Sequence, residues 1–303
     1  MRSARMWRKY FAFGLSDLLP IEAPGTVCIL AGQYQGNVQM RDGVNLSGTG
    51  SNTVLCGSIN ADASINLGSK ISNMSIAGQV GAVGSVNLNL IDLDVGQPTP
   101  GCNVAFQQAV QLKRQGPGGF RFAASNVRVG SPGFYLSIMP AGSPLDDVIR
   151  ITQSRCVVNS NQCYDFLQLN LDTQPGEQLA LGSRLDVDVQ VLVRHNTLTS
   201  MGDPNYAISF WETPGVPIVV ANNVISYIGH PIFPADSAQL TKVANSLSSD
   251  VSSKAWFENF DSGNYRPSVG SPLVAAGDAS FGTDVDIDGN PRVGHFDVGA
   301  YQR

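Results

Sequence analysis

With 303 residues, 43% of them hydrophobic, the chain is long enough to bury an extended core, while its 14% of charged residues lies well below the roughly 25% of ordinary soluble proteins. A formal charge of −5 argues against a general phosphate-binding surface, and so against nucleic acid as the main partner; a polyanion would need a local basic patch. The 32 glycines and 17 prolines make turns frequent and helices few.

Residues 1–19 open with Arg2, Arg5, Arg8 and Lys9, and the apolar run Phe11 to Leu15 then breaks at Ser16 and Asp17. That run is short for a signal core of about 7–15 apolar residues, so a basic N-terminal tail, or a start inside a longer reading frame, is expected. No stretch approaches the roughly 20 apolar residues of a membrane-spanning helix, and membrane insertion is not expected. The five cysteines, Cys28, Cys56, Cys102, Cys156 and Cys163, form no CxxC pair, which argues against zinc. Cys28 with Cys56, or Cys156 with Cys163, would suit disulfides in an exported protein. Small buried thiols account for them equally well.

From Gly25 the chain reads as short strands, TVCIL, NVQM, VNLSG, TVLCG and INLGS, each ended by a turn residue. In Leu185–Ser200, Val187, Val189, Val191 and Val193 alternate with Asp186, Asp188, Gln190 and Arg194, a strand with one buried face. A polar residue precedes an apolar beat at Asn73, Asp92, Asn126, Asn196 and Asn223, and VIRITQSRCVVNS supplies a further rung with Ser154 or Arg155 in the asparagine place. Recurring turns of this kind predict an all-β parallel β-helix over residues 20–236, with asparagines bonded from coil to coil. Leu240, Val243, Ala244 and Leu247 have helical spacing and predict a helix over Ala238–Ser249; Val104–Leu112 is a shorter case. The segments Gln97–Gly101, Gln115–Gly119 and Pro140–Pro144 read as loops, and residues 237–303 as a C-terminal cap.

Gly32-Gln33-Tyr34 and Gly43-Val44-Asn45-Leu46 resemble the first coils of pectate-lyase-like right-handed parallel β-helix proteins. The tail is similar to the closing domain of bacterial β-helix proteins of the choice-of-anchor Q type. It carries Asn264-Tyr265, Ser271-Pro272, Gly277-Asp278, Asp286-Ile287-Asp288-Gly289-Asn290-Pro291-Arg292 and Asp297-Val298-Gly299-Ala300-Tyr301. It departs at Ala275, where Asp is usual, and at Gln302, where Glu is common. The resemblance implies a right-handed parallel β-helix with a small cap and is silent on chemistry; an extracellular or cell-surface location and polysaccharide as the partner are expectations set beside it.

Pectate lyases use acidic calcium ligands and an arginine that eases proton abstraction beside a uronate carboxyl, which would give Asp186, Asp188 and Arg194 catalytic roles. Those three share one strand face, with the carboxylates roughly 7 Å apart, a spacing for calcium or water-mediated acid–base work. A solvated outer face accounts for the same residues. In NYAISFWET, Trp211 beside Glu212, with Tyr206, forms a candidate saccharide platform, because aromatic faces stack on sugar rings; Arg150 is placed on the same outer face. His195 and His230 have no Ser or Cys nucleophile at recognisable spacing. Asp284, Asp286, Asp288 and Gly289 match the front of a calcium loop, but His295 stands where its bidentate Glu belongs, so a turn with Asp286 or Asp288 accepting from N–H groups is expected instead. The expectation is a monomeric, exported polysaccharide-binding protein without a resident cofactor, calcium being the one metal that suits these spacings. The alternatives are a polysaccharide lyase or glycoside hydrolase, and a structural adhesin or stalk segment.

Overall fold

A computed structural model describes residues 24–61, 65–97, 99–105, 108–114, 119–130, 133–138, 147–152, 155–156, 167–170, 189–211, 218–233, 240–262 and 264–303. Alternation of apolar and polar residues makes the described chain all-β, with helix confined to short 3-10 turns. The strands run in passes: β1 (Gly25–Cys28), β2 (Gly32–Gln35) and β3 (Val38–Gln39), then β4 (Val44–Ser47), β5 (Thr53–Cys56) and β6 (Ile59–Ala61). In the next passes the first two strands merge, as β7 (Ser69–Ile76) before β8 (Val80–Val83), β9 (Val86–Val95) before β10 (Val110–Arg114), and β11 (Phe120–Val129) before β12 (Phe134–Ile138). There follow β13 (Asp147–Thr152), β14 (Arg155–Cys156) and β15 (Leu167–Asn170), β16 (Val189–Arg194) and β17 (Thr197–Trp211), β18 (Ile218–Ala221) and β19 (Val224–Phe233), and last β20 (Leu240–Val243) and β21 (Ser246–Ser248).

All of these strands pair in parallel, in three columns that the chain visits in the same order on each pass. The first column runs through β1, β4, the front halves of β7, β9 and β11, then β13, β16, β18 and β20. The second runs through β2, β5, the back halves of β7, β9 and β11, then β14, the fronts of β17 and β19, and β21. The third runs through β3, β6, β8, β10, β12, β15 and the ends of β17 and β19. These stacked parallel sheets are compatible with a β-helix. Register aligns like with like: Leu46, Ile71, Leu90 and Ala124 fall in one buried row, and Val193 and Val220 meet in another stretch of the same column. Each leucine, isoleucine and valine among them contributes about 1.5–3 kcal/mol on burial.

The corner between the first and second columns is a left-handed residue, at Asn73, Asp92, Asn126, His195, Asn222 and Ala244, with φ from 47° to 56°. Asn and Asp tolerate this conformation better than other non-glycine residues. The asparagine repeat therefore occupies two adjacent turn positions rather than one. Early passes place Asn or Asp at the left-handed residue itself, where Asn126 Nδ2 donates to Asp92 Oδ1 at 2.7 Å. Later passes follow it with Asn196, Asn223 and Asn245, which bond to one another inside the turn. Arg155 pairs with Arg128 and Thr197, one residue past that asparagine position, so it is not the equivalent; Ser154 lies outside the described residues.

Two expectations are corrected. Residues 240–248 are strands, because Ala244 and Asn245 form the same corner and β18 and β19 offer parallel partners, a tertiary context that overrides helical spacing. Val104 and Ala105 are likewise not helical, and β10 takes Val110–Arg114. The parallel sheet thus continues past residue 236 to Ser248. Among the described residues a disulfide joins Cys56 to Cys102, and Cys28 is free and exposed. Cys28 and Cys56 sit in similar phrases, but β1 belongs to the first column and β5 to the second, so they do not pair. Cys163 lies outside the described residues.

Beyond the sheet, a 3-10 turn (Val251–Trp256) leads to an antiparallel hairpin of β22 (Phe257–Asn259) and β23 (Asn264–Pro267). Its aromatics pack edge to face, Tyr265 lying 5.7 Å from Phe257 and 5.6 Å from Phe260 between ring centres. With Leu273, Ile287, Val298, Ala300 and Tyr301 they make a second core that closes over Val224 of β19.

Candidate saccharide-binding face

In the third column Val38, Ile59, Val80, Val110, Phe134 and Ile208 are buried in one row. The alternate row reads Gln39, Asn60, Gly81, Gln111 and Tyr135, with Gln168 next in register, and none of those first five residues is fully buried. Two residues further along each strand stand Val83, Lys113, Ser137, Asn170 and Trp211 as successive Cα partners. Lys113 Nζ lies 5.6 Å from the centre of the Tyr135 ring, within cation–π range. Gly81 leaves room here: a Cβ would come within 2.9 Å of the Asn60 side-chain oxygen. Successive strands are about 4.8 Å apart, so amides and an aromatic ring recur along the stack with a single described charge. The row offers hydrogen bonds in both directions and an apolar ring face.

Trp211 thus belongs to the third column. Arg150 belongs to the first, as the partner of Ala123 and Leu192. Tyr206 falls in the irregular middle of β17, opposite His230. Asp186, Asp188 and Glu212 lie outside the described residues. Arg194, on β16, directs its guanidinium at the C-terminal unit, where Nη1 donates to the Gly282 carbonyl at 3.1 Å and reaches that of Phe281 at 3.5 Å. Gln111, Lys113 and Tyr135 escaped the sequence reading. Their alternation with Val110, Leu112, Phe134 and Leu136 was the available signal, but nothing local shows that they share a face with Trp211.

The C-terminal unit is docked by buried polar groups. Ala300 N–H donates to Thr197 Oγ1 at 2.9 Å, Gly299 N–H to the Asn222 carbonyl at 2.8 Å, and Asp278 N–H to Asn222 Oδ1 at 2.7 Å. Buried Arg292 donates to the carbonyls of Gly299 and Asp297 and to Gln302 Oε1, at 2.9, 3.2 and 3.1 Å. Burial lowers its pKa to about 10, partly offset by the Asp286 and Asp297 charges. Asp286 closes the Asp-Gly-Asn-Pro turn: Oδ1 accepts from Asp288 N–H at 2.9 Å and Asn290 N–H at 2.8 Å, and Oδ2 from Gln302 N–H at 3.1 Å. Asp288 pairs with Arg266. The departures Ala275 and Gln302 are absorbed: Ala275 N–H donates to Asp297 Oδ1 at 2.8 Å, and Gln302 uses both ends of its amide.

The chain matches no family model, no curated protein and no solved structure.

Proposed function

We propose that the chain is a right-handed parallel β-helix capped by residues of choice-of-anchor Q type, exported or displayed at the cell surface, and that it binds polysaccharide on its outer face. The observation that carries this reading is the third-column row of Gln39, Asn60, Gln111 and Tyr135, which continues in register toward Gln168 and is flanked by Lys113 and Trp211. A sugar chain lying along the stack meets a hydrogen-bonding or stacking group on β3, β6, β10 and β12, with the gap at Gly81 on β8. In this reading Trp211, in register with Asn170, supplies a further stacking ring, while Tyr206, Glu212 and Arg150 remain the contacts expected from their place in the sequence, Arg150 as the cation for acidic sugars. The Cys56–Cys102 disulfide supports an oxidising compartment.

Binding without turnover is favoured over a lyase or hydrolase by Arg194, whose hydrogen bonds to Phe281 and Gly282 suit a structural role. The test incubates the protein with neutral and acidic polysaccharides, measuring retention, unsaturated product by ultraviolet absorbance, and reducing ends. Retention by at least one polysaccharide without product is expected. Product that disappears in Asp186→Asn or Asp188→Asn would replace this reading with the enzymatic one, and neither retention nor product would leave a structural adhesin or stalk.

A further inference from the structure

His195 is wholly buried at the corner between β16 and β17, against the C-terminal unit. Its proton is assigned by Asn222. Asn222 Oδ1 must accept from Asp278 N–H at 2.7 Å, which leaves the Nδ2 amino group to face the Asp278 carbonyl at 2.9 Å and His195 Nε2 at 3.1 Å. A ring nitrogen facing an amino group has to be the acceptor, so the ring proton sits on Nδ1 and is donated to the Gly299 carbonyl at 3.2 Å. The ring therefore joins two corners of the stack to two segments of the C-terminal unit in one neutral tautomer. A second proton would set Nε2–H against the Asn222 amino group; the Gly299 and Phe281 carbonyls favour the charged ring, but burial and the arginine charges outweigh them.

The charged groups acting on the ring raise that conflict. Arg194 lies on its own strand, and Arg292, from the C-terminal unit, donates to the same Gly299 oxygen at 2.9 Å. The nearby carboxylates are engaged elsewhere: Asp278 accepts from Ser280, Asp286 from its own turn and Gln302, and Asp297 from Ala275 and Arg303.

We propose that His195 is an acid-sensitive clasp, which holds residues 278–303 on the sheet at neutral pH and releases them when the ring takes a second proton. Release would uncover Thr197 and Val224, both now buried under that segment. Burial first, then Arg292, lowers the ring pKa from 6.5 to about 3 while the unit is docked. An undocked ring titrates near its ordinary value. The docked state therefore keeps its full advantage above about pH 6.5 and loses about tenfold in docking equilibrium for each pH unit below it, down to about pH 3. The proposal stands independently of saccharide binding.

The test is hydrogen exchange of the full chain between pH 7.5 and 4.5, corrected for the intrinsic pH dependence, a window chosen above the ordinary carboxylate range. Wild type should lose protection in residues 278–303 about tenfold per unit below pH 6.5, with the strands of the first column unaffected. His195→Asn, which suits the left-handed backbone and keeps a donor for Gly299, should flatten that loss; an unchanged slope would overturn the clasp. A second measurement needs no variant: C2–H exchange of the histidine rings should find His195 slow and without a titration step above pH 4.5, whereas titration near 6.5 with the unit still protected would equally overturn it.

Discussion

Asn196 gives its side-chain amide to Asn223 Oδ1 at 2.8 Å, and the same buried oxygen takes the Asn196 backbone N–H at 2.9 Å. Asn223 in turn reaches Asn245 Oδ1 at 3.0 Å, so one buried side chain bonds three consecutive passes. Asn223→Ala strands buried donors on Asn196, each costing about 1–3 kcal/mol. Its urea midpoint should fall accordingly, whereas Asn126→Gly, at an exposed bond and with the left-handed backbone preserved, should stay within about 0.5 kcal/mol of wild type.

The Cys56–Cys102 disulfide spans 46 residues and ties the segment after β9 to β5. Chain-entropy considerations put its contribution at about 3–5 kcal/mol. Cys102→Ser should lower the thermal midpoint by roughly 6–20 °C, at about 2–4 °C per kcal/mol for an unfolding unit of this size. Thiol labelling of the native wild-type protein should reach Cys28 without any such loss.

Asp286 is enclosed by N–H donors and an arginine 3.6 Å away, which is a complete set for a structural carboxylate. Asp286→Ala should destabilise the C-terminal unit by about 1.5–3 kcal/mol, the range for hydrogen bonds to a charged group. Calcium should leave the wild-type melting temperature where a chelator leaves it; a rise with calcium would make the turn a cation site after all.

Lys242 stands in register with Val193 and Val220, in a row that is apolar on those strands, yet it lies on β20, the last strand of its column, and is exposed. A lysine there keeps the open edge from pairing with another chain. Lys242→Val should produce association visible by light scattering at concentrations where wild type gives none.

Turn chemistry made much of the fold legible, because Asn and Asp before an apolar beat carry a local cost that only certain backbones relieve. The same locality misled at Leu240, Val243, Ala244 and Leu247, where helical spacing is real but the stack supplies strand partners. Column membership was not legible. Loops of unequal length decide whether a residue lands in the first column, as Arg150 does, or in the third, as Tyr135 and Trp211 do, and nothing near those residues records the choice. The partners of Arg194 were hidden for a related reason: the carbonyls of Phe281 and Gly282 that it meets are distant in sequence.

The most direct test of saccharide recognition is titration calorimetry with a polysaccharide that wild type retains, comparing Tyr135→Ala, Trp211→Ala and the double variant with Arg150→Ala. Each aromatic truncation should weaken binding by about 1–3 kcal/mol, with Arg150→Ala affecting acidic chains alone. A double variant that folds normally and binds as tightly as wild type would contradict the account.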